Sequence, residues 1–351
     1  MDLYLLQNIY RRIDSRAARL TMLKSARLLG MRTLIVRMDT NNYCNLRCIM
    51  CKFGYEKVLP EQRIEMTVEQ YEKIAADIFP KTRSLHLSCG YEPLVVSEFD
   101  HYLRVAKQKY GVPFVSFATN AMAMRDHHCK TMIEAGVDEI VVSADGAKAE
   151  TFESVRRGGK FDRLLNNLAM LRDMKKAAGA EKPVLRLNYT FLDANVEEIP
   201  DFIDLMAEYG MQVLELRPVD MNVIGRFEVE PLLTESARKT YDRLYPEIQK
   251  RAEHHNIELI AFHRLPEKTQ AAKNNNSAKT KANSCILPYF ALYILADGSV
   301  KSCVSGPDIG NIIDQSYAEI MASQVNRNFQ KMTKGPNQYC DRCQLKGEMI
   351  G

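Results

Sequence analysis

The chain has 351 residues, 46% hydrophobic and 26% charged, with a net charge of +4 and nine cysteines. That length suits one large domain with a smaller companion, and the charge is too mild to argue for nucleic acid. No apolar run approaches the roughly 20 residues a membrane span requires, and no signal-peptide core opens the chain, so a cytoplasmic protein is expected. There, nine cysteines point to metal binding or catalysis rather than disulfides.

Residues 1–31 read as N-terminal helices, apolar at Leu3, Leu5, Leu6, Ile9 and Ile13 and basic at Arg11, Arg12, Arg16, Arg19, Lys24 and Arg27. Such a face suits packing on the body of the protein, with an anionic membrane surface as the alternative. From residue 33, strand patterns at 33–39, 84–88, 114–118, 139–143, 184–191 and 213–217 alternate with helical patterns near 67–79, 98–109, 124–135, 148–176 and 196–209. Six βα units in series imply a parallel sheet with right-handed crossovers, whose chemistry gathers at the carboxyl ends of the strands. A helix-rich stretch at 234–256 and a polar run at 269–284, read as a flexible linker, precede an alternating apolar segment at 289–295 and an Asp297-Gly298 hairpin turn.

Cys44, Cys48 and Cys51 sit just past the first strand, in C-x3-C-x2-C spacing. Three thiolates on one loop can converge on a metal. Structural zinc needs a fourth ligand, which a distant residue such as His86 would have to supply, whereas a four-iron cluster held by three thiolates keeps one iron open. Polar residues close the following strands: Ser88-Cys89-Gly90-Tyr91-Glu92-Pro93, Thr119-Asn120, Ser143-Ala144-Asp145-Gly146 and Asn188. Near the end, the hairpin brings Cys285 towards Cys303, and Cys340 and Cys343 form a C-x2-C pair. Those four thiolates would close a zinc site or fully ligate a cluster. Cys89, on the rim, could donate a hydrogen atom to a substrate radical. Cys129, beside His127 and His128, reads as surface or packing, and His254–His255 as a solvated helix face.

The C-x3-C-x2-C loop after a first strand resembles the radical S-adenosylmethionine (SAM) superfamily, and Cys285-x12-Gly298-x4-Cys303 resembles the opening of its SPASM/twitch auxiliary-cluster domains. The resemblance implies an α/β fold: a partial (β/α)6 TIM-like barrel with N-terminal helices and a small C-terminal β-hairpin and helix cluster-binding unit. The divisions would be 1–31 for the helical extension, 32–232 for the barrel, 233–284 for the connector and linker, and 285–351 for the tail.

It further implies that Cys44, Cys48 and Cys51 ligate a SAM-binding [4Fe–4S] cluster and that Cys285, Cys303, Cys340 and Cys343 ligate an auxiliary [4Fe–4S] cluster. Gly90-Tyr91-Glu92-Pro93 resembles a Gly-Gly-Glu-Pro motif that meets the SAM amino group, with Tyr91 in place of the second glycine. Asn120, Ser143, Arg156 and Asn188 resemble further cofactor contacts, Arg156 for the carboxylate, and Met50 stands where an aromatic residue usually packs near adenine.

The tail lacks the continuation of a full SPASM domain and resembles the twitch form of 2-deoxy-scyllo-inosamine dehydrogenase. The implied activity is therefore oxidation of a small polyol or sugar-like substrate, with a flavodoxin- or ferredoxin-type electron donor. Peptide modification and epimerisation through Cys89 are alternatives within the class. The 32 residues before the first strand are short for the leader-binding domain of a peptide-modifying enzyme. A zinc-stabilised binding protein is the non-enzymatic alternative.

Overall fold

The computed structural model describes residues 15–56, 58–88, 90–221, 227, 229–261, 285–335 and 337–340. Strand β1 (Leu34–Met38) buries Leu34, Val36 and Met38 on one face and carries Ile35 and the exposed Arg37 on the other. That alternation is the period-2 pattern of a strand packed on helices by one side only. Each fully buried side chain of this kind contributes about 1.5–3 kcal/mol.

Around β1, strands β2 (Thr82–Leu87), β3 (Phe114–Thr119), β4 (Glu139–Ser143), β5 (Val184–Phe191) and β6 (Val213–Pro218) pair in parallel, in sequence order. All six expected strands are present. Helix α1 (Arg16–Leu28) precedes them, and the helices that present apolar residues to the sheet are α2 (Val68–Ile78), α3 (Phe99–Arg104), α4 (Asp126–Ala135), α5 (Ala149–Val155), α6 (Phe161–Ala177) and α7 (Ile199–Glu208). Helix α6 buries Phe161, Leu164, Leu168 and Leu171, and α7 buries Ile199, Phe202, Ile203 and Met206, both at helical spacing.

Two features extend the expected barrel. After α8 (Glu235–His254), the short strand β7 (Glu258–Ala261) pairs in parallel with β6. Four residues are too few for periodicity to separate a strand from a loop. At the opposite edge, β8 (Ala291–Ile294) pairs in parallel with β1, and β9 (Ser299–Lys301) and β10 (Asp308–Asn311) add an antiparallel meander. The hairpin expected as a separate tail element therefore continues one ten-stranded sheet, ordered β10-β9-β8-β1-β2-β3-β4-β5-β6-β7. Gly298 makes the β8–β9 turn at φ +82°, where a side chain would be strained.

The helical pattern at 148–176 divides into α5 and α6, with the break over 156–160. That break aims Arg156 at the first cysteine loop. Helices α9 (Tyr317–Ala322) and α10 (Gln324–Met332) cover the meander.

Two basic residues of α1 serve packing. Arg16 donates to the carbonyls of Cys285 (2.7 Å), Gln330 (3.1 Å) and Thr333 (2.9 Å), and Arg27 to that of Tyr289 (2.6 Å). Both thus tie the helix to the tail. Among the described residues, no helix is long and apolar enough to cross a membrane. The linker at 269–284, Cys89 and Cys343 lie outside the described residues.

Candidate cluster and cofactor site

Strand β1 delivers the chain into the loop that carries Cys44, Cys48 and Cys51. Two backbone bonds zip that loop onto the segment after α5: Arg47 N to Arg157 O at 2.9 Å and Ile49 N to Val155 O at 3.0 Å. Tyr55 Oη holds Ile49 O at 2.6 Å, and Gly54 packs so close to Cys48 O that a Cβ would collide with it. Leu46 and Cys48 are buried, Cys44 and Cys51 half-buried.

The sulfurs have their own donors. Leu46 N and Asn120 Nδ2 approach Cys44 Sγ at 3.4 and 3.6 Å, and Arg156 Nη1 approaches Cys48 Sγ at 3.8 Å. Burial raises the Cys44 thiol to about 11 and also raises that of Cys48, with Arg156 pulling the latter back. Among the described residues, the three sulfurs do not close to within 4.8 Å of one another, as ligands of a single ion would. His86 is engaged elsewhere, between Ser84 Oγ (2.9 Å) and Ser116 Oγ (2.6 Å). A multi-iron cluster, whose ligands spread over its corners, fits this spacing better than a zinc ion.

The next strand ends converge beside the loop. Glu92 is buried, and its carboxylate accepts from Thr119 Oγ1 (2.6 Å), Asn120 N (2.7 Å) and Leu94 N (3.1 Å). Burial pushes its pKa up to about 7 against those donors. Asn41 Nδ2 donates to Glu92 O at 3.0 Å, and Gly90 N donates to Asp39 Oδ1 at 3.0 Å. The Tyr91 ring packs against Phe53 at 4.9 Å, and Met50 lies half-buried against the core.

Ser143 closes β4 opposite Asn188 on β5. Arg156, the expected carboxylate clamp, is buried against Asp145: Nη2 stands 2.5 Å from Oδ2, while Thr190 N donates to Oδ1 at 2.6 Å. Among the described residues, the buried Thr40 Oγ1, Asn41 Oδ1 and Asn188 Oδ1 have no hydrogen-bond partner. Unpaired buried acceptors on the segment after β1 and on β5 suit a polar ligand that brings its own donors.

In the tail, Cys285 precedes a short turn leading to β8, Cys303 follows β9, and Cys340 N is held by Asn337 Oδ1 at 3.0 Å. All three are half-buried. Cys129 is fully buried on α4, its thiol raised to about 12 by burial, so it is packing. His127 pairs with Asp100 at 2.7 Å and His255 with Asp204 at 2.9 Å.

A family model for the radical SAM superfamily matches residues 38–206, and one for the SPASM iron–sulfur cluster-binding domain matches residues 285–344. The chain carries a radical SAM domain followed by a SPASM domain. These domains imply a [4Fe–4S] cluster with SAM, and auxiliary iron–sulfur binding in the tail.

The chain is 28% identical over 221 residues to a GTP 3',8-cyclase of Chlorobaculum tepidum, covering 61% of this chain and 62% of that protein. The match thus spans less than two thirds of that relative's length. The fold is similar to that of Streptococcus suis SuiB bound to precursor peptide SuiA, with a TM-score of 0.66 at 15% identity over 95% of this chain and 74% of that one. It is also similar to anSMEcpe with bound AdoMet, with a TM-score of 0.60 at 15% identity over 90% and 89% of the two chains.

The sequence places Asp145 and Thr119 at strand ends without a role, and leaves out Asn41 and also Asn45, whose Oδ1 accepts from Asn120 Nδ2 at 2.8 Å. It also leaves unassigned the polar interior face of the sheet, whose residues Arg37, His86, Arg186, Glu215 and Arg217 interrupt apolar strands at alternate positions. That period-2 interruption was the available signal.

Proposed function

We propose that this chain is a radical SAM oxidoreductase that removes a hydrogen atom from a small hydrophilic substrate and passes the remaining electron to an auxiliary cluster. Cys44, Cys48 and Cys51 would hold the SAM-binding cluster, and Cys285, Cys303, Cys340 and Cys343 the auxiliary one. When bound, the first cluster and SAM supply the one-electron cleavage that creates a hydrogen-abstracting radical.

The observation that carries this reading is the in-register pairing of β8 with β1, Ile35 to Ala291 through Met38 to Ile294. Cys285 and Cys303 flank the β8–β9 hairpin, and β1 leads into Cys44. Cys285 and Cys303 thus flank strands of the same sheet that leads into Cys44, which suits electron return from a substrate held between the two clusters. Asn120 and Arg156 stabilise the thiolate sulfurs, Glu92 clamps three strand ends, and Thr40, Asn41 and Asn188 present acceptors to the cofactor. Gly90, Tyr91, Ser143 and Met50 border the same rim. A flavodoxin- or ferredoxin-type protein would deliver the electron.

Peptide modification is the second reading, favoured by the peptide seated on SuiB. Epimerisation through Cys89 is the third, and unchanged turnover and stereochemistry in Cys89→Ala would remove it.

Anaerobic reconstitution tests the whole reading. The loaded protein should hold about eight irons and lose half of them on triple substitution of Cys44, Cys48 and Cys51. Dithionite and SAM should yield 5′-deoxyadenosine, carrying deuterium from a labelled polyol if that class is correct. Bound zinc without 5′-deoxyadenosine would sink the proposal.

A further inference from the structure

The interior face of the sheet carries charge that the cluster site leaves unused. Arg37 is exposed although it lies on β1, which has β2 on one side and β8 on the other. Its guanidinium therefore reaches solvent on the face of the sheet opposite Val36 and Met38. Its guanidinium lies 5.7 Å from the Tyr293 ring centroid, and among the described residues it has no carboxylate partner.

On β5, Arg186 pairs with Glu139 at 3.9 Å and with Glu215, and Glu215 also receives Arg217. Arg186 Nε is nevertheless buried without an acceptor among the described residues. Register carries the two arginines onto one face: Arg37 stands opposite His86, His86 bonds Ser116 on β3, Ser116 stands opposite Glu139 on β4, and Glu139 pairs with Arg186. Burial and these two cations hold His86 down to about 4, leaving it neutral between its two serines.

Among the described residues, a cation without a carboxylate partner and a buried N–H without an acceptor on one face of the sheet suit an oxyanion. We propose that Arg37 and Arg186 bind a carboxylate or phosphate carried by the substrate, with the reacting carbon directed towards the cysteine rim. This rests on that face being the substrate site of the proposed oxidoreductase. An anionic hydrophilic molecule would then be the substrate class, and a neutral polyol would not.

Calorimetric titration of the anaerobically reconstituted full chain tests it, with inorganic phosphate, succinate and myo-inositol as probes. Phosphate or succinate should bind and myo-inositol should not; which of the two binds identifies the oxyanion. Arg37→Gln should weaken that binding at least tenfold. Arg37→Lys, which keeps the charge but loses the planar fork, should weaken it less. Substituting the surface residue Arg172→Gln should leave it at the wild-type level.

Binding of neither oxyanion, or an Arg37→Gln variant that binds as wild type does, would overturn the inference. If Arg37→Gln loads iron poorly, Arg37→Lys decides, and wild-type affinity in it counts against the proposal. SAM titration of the same wild-type sample separates the two levels. Absent SAM binding overturns the proposed function, while intact SAM binding without oxyanion binding overturns this inference alone.

Discussion

Arg156 and Asp145 form a buried ion pair, Nη2 to Oδ2 at 2.5 Å, and the guanidinium's other nitrogen reaches Cys48 Sγ at 3.8 Å. Asp145 is fully enclosed and the Arg156 side chain is 9% exposed, so neither charge can fall back on water. Arg156→Gln should therefore cost about 3–5 kcal/mol in the apo protein, because it strands a buried carboxylate. Adding Asp145→Asn should recover at least about 1 kcal/mol, the mark of a coupled pair. Urea denaturation of the two single variants and the double variant measures the coupling; additive losses would contradict it.

Glu92 sets a pH dependence. Its folded pKa of about 7 lies above the ordinary 4.5, so between those values the native state binds more protons than the unfolded chain. Its contribution is then fully present below about pH 4.5 and lost as pH rises through 7, up to about 3 kcal/mol. Glu92→Gln removes that titration. The stability of the variant relative to wild type should therefore rise from pH 5 to pH 8, as read by urea midpoints at each pH. A difference that stays flat would show that Glu92 is ionised throughout.

Gly54 tests the packing under the first cysteine loop. A Cβ at this position would meet the backbone carbonyl of Cys48, which cannot swing aside like a side chain. Gly54→Ala should lose about half of the bound iron while the tail keeps its share. Iron analysis, with the Cys44, Cys48 and Cys51 triple variant as reference, reads the outcome.

Arg16 tests the tie between α1 and the tail. Its guanidinium reaches three backbone carbonyls and Thr333 Oγ1. At about 1.5–3 kcal/mol for a hydrogen bond to a charged group, offset by hydration of the carbonyls freed in the variant, Arg16→Ala should destabilise by about 2–3 kcal/mol. The loss should be local, so limited proteolysis should cut near residues 285–340 sooner than in the barrel. Equal acceleration in both regions would mean a global effect.

Much of the fold was legible because βα repetition is a local signal. Each strand from β1 to β6 announces itself by apolar alternation, and each following helix by its own stripe. Strand β7 was not legible, since four residues carry no period. The break at 156–160 was hidden too, because a helical pattern resumes immediately and only packing against the cysteine loop gives the interruption a purpose. Cys44, Cys48 and Cys51 stood out by spacing alone, and so did the four tail cysteines.

The sequence by itself determined the chemistry class, because ligand spacing and strand-end residues are encoded along the chain. The tertiary structure decided which groups meet. It pairs β8 with β1 across more than 250 residues, turns Arg156 inward onto Asp145 and Cys48, and links Arg37, His86 and Arg186 across neighbouring strands. Those relations depend on sheet register and curvature, which arise from non-local pairing that no short window of sequence contains.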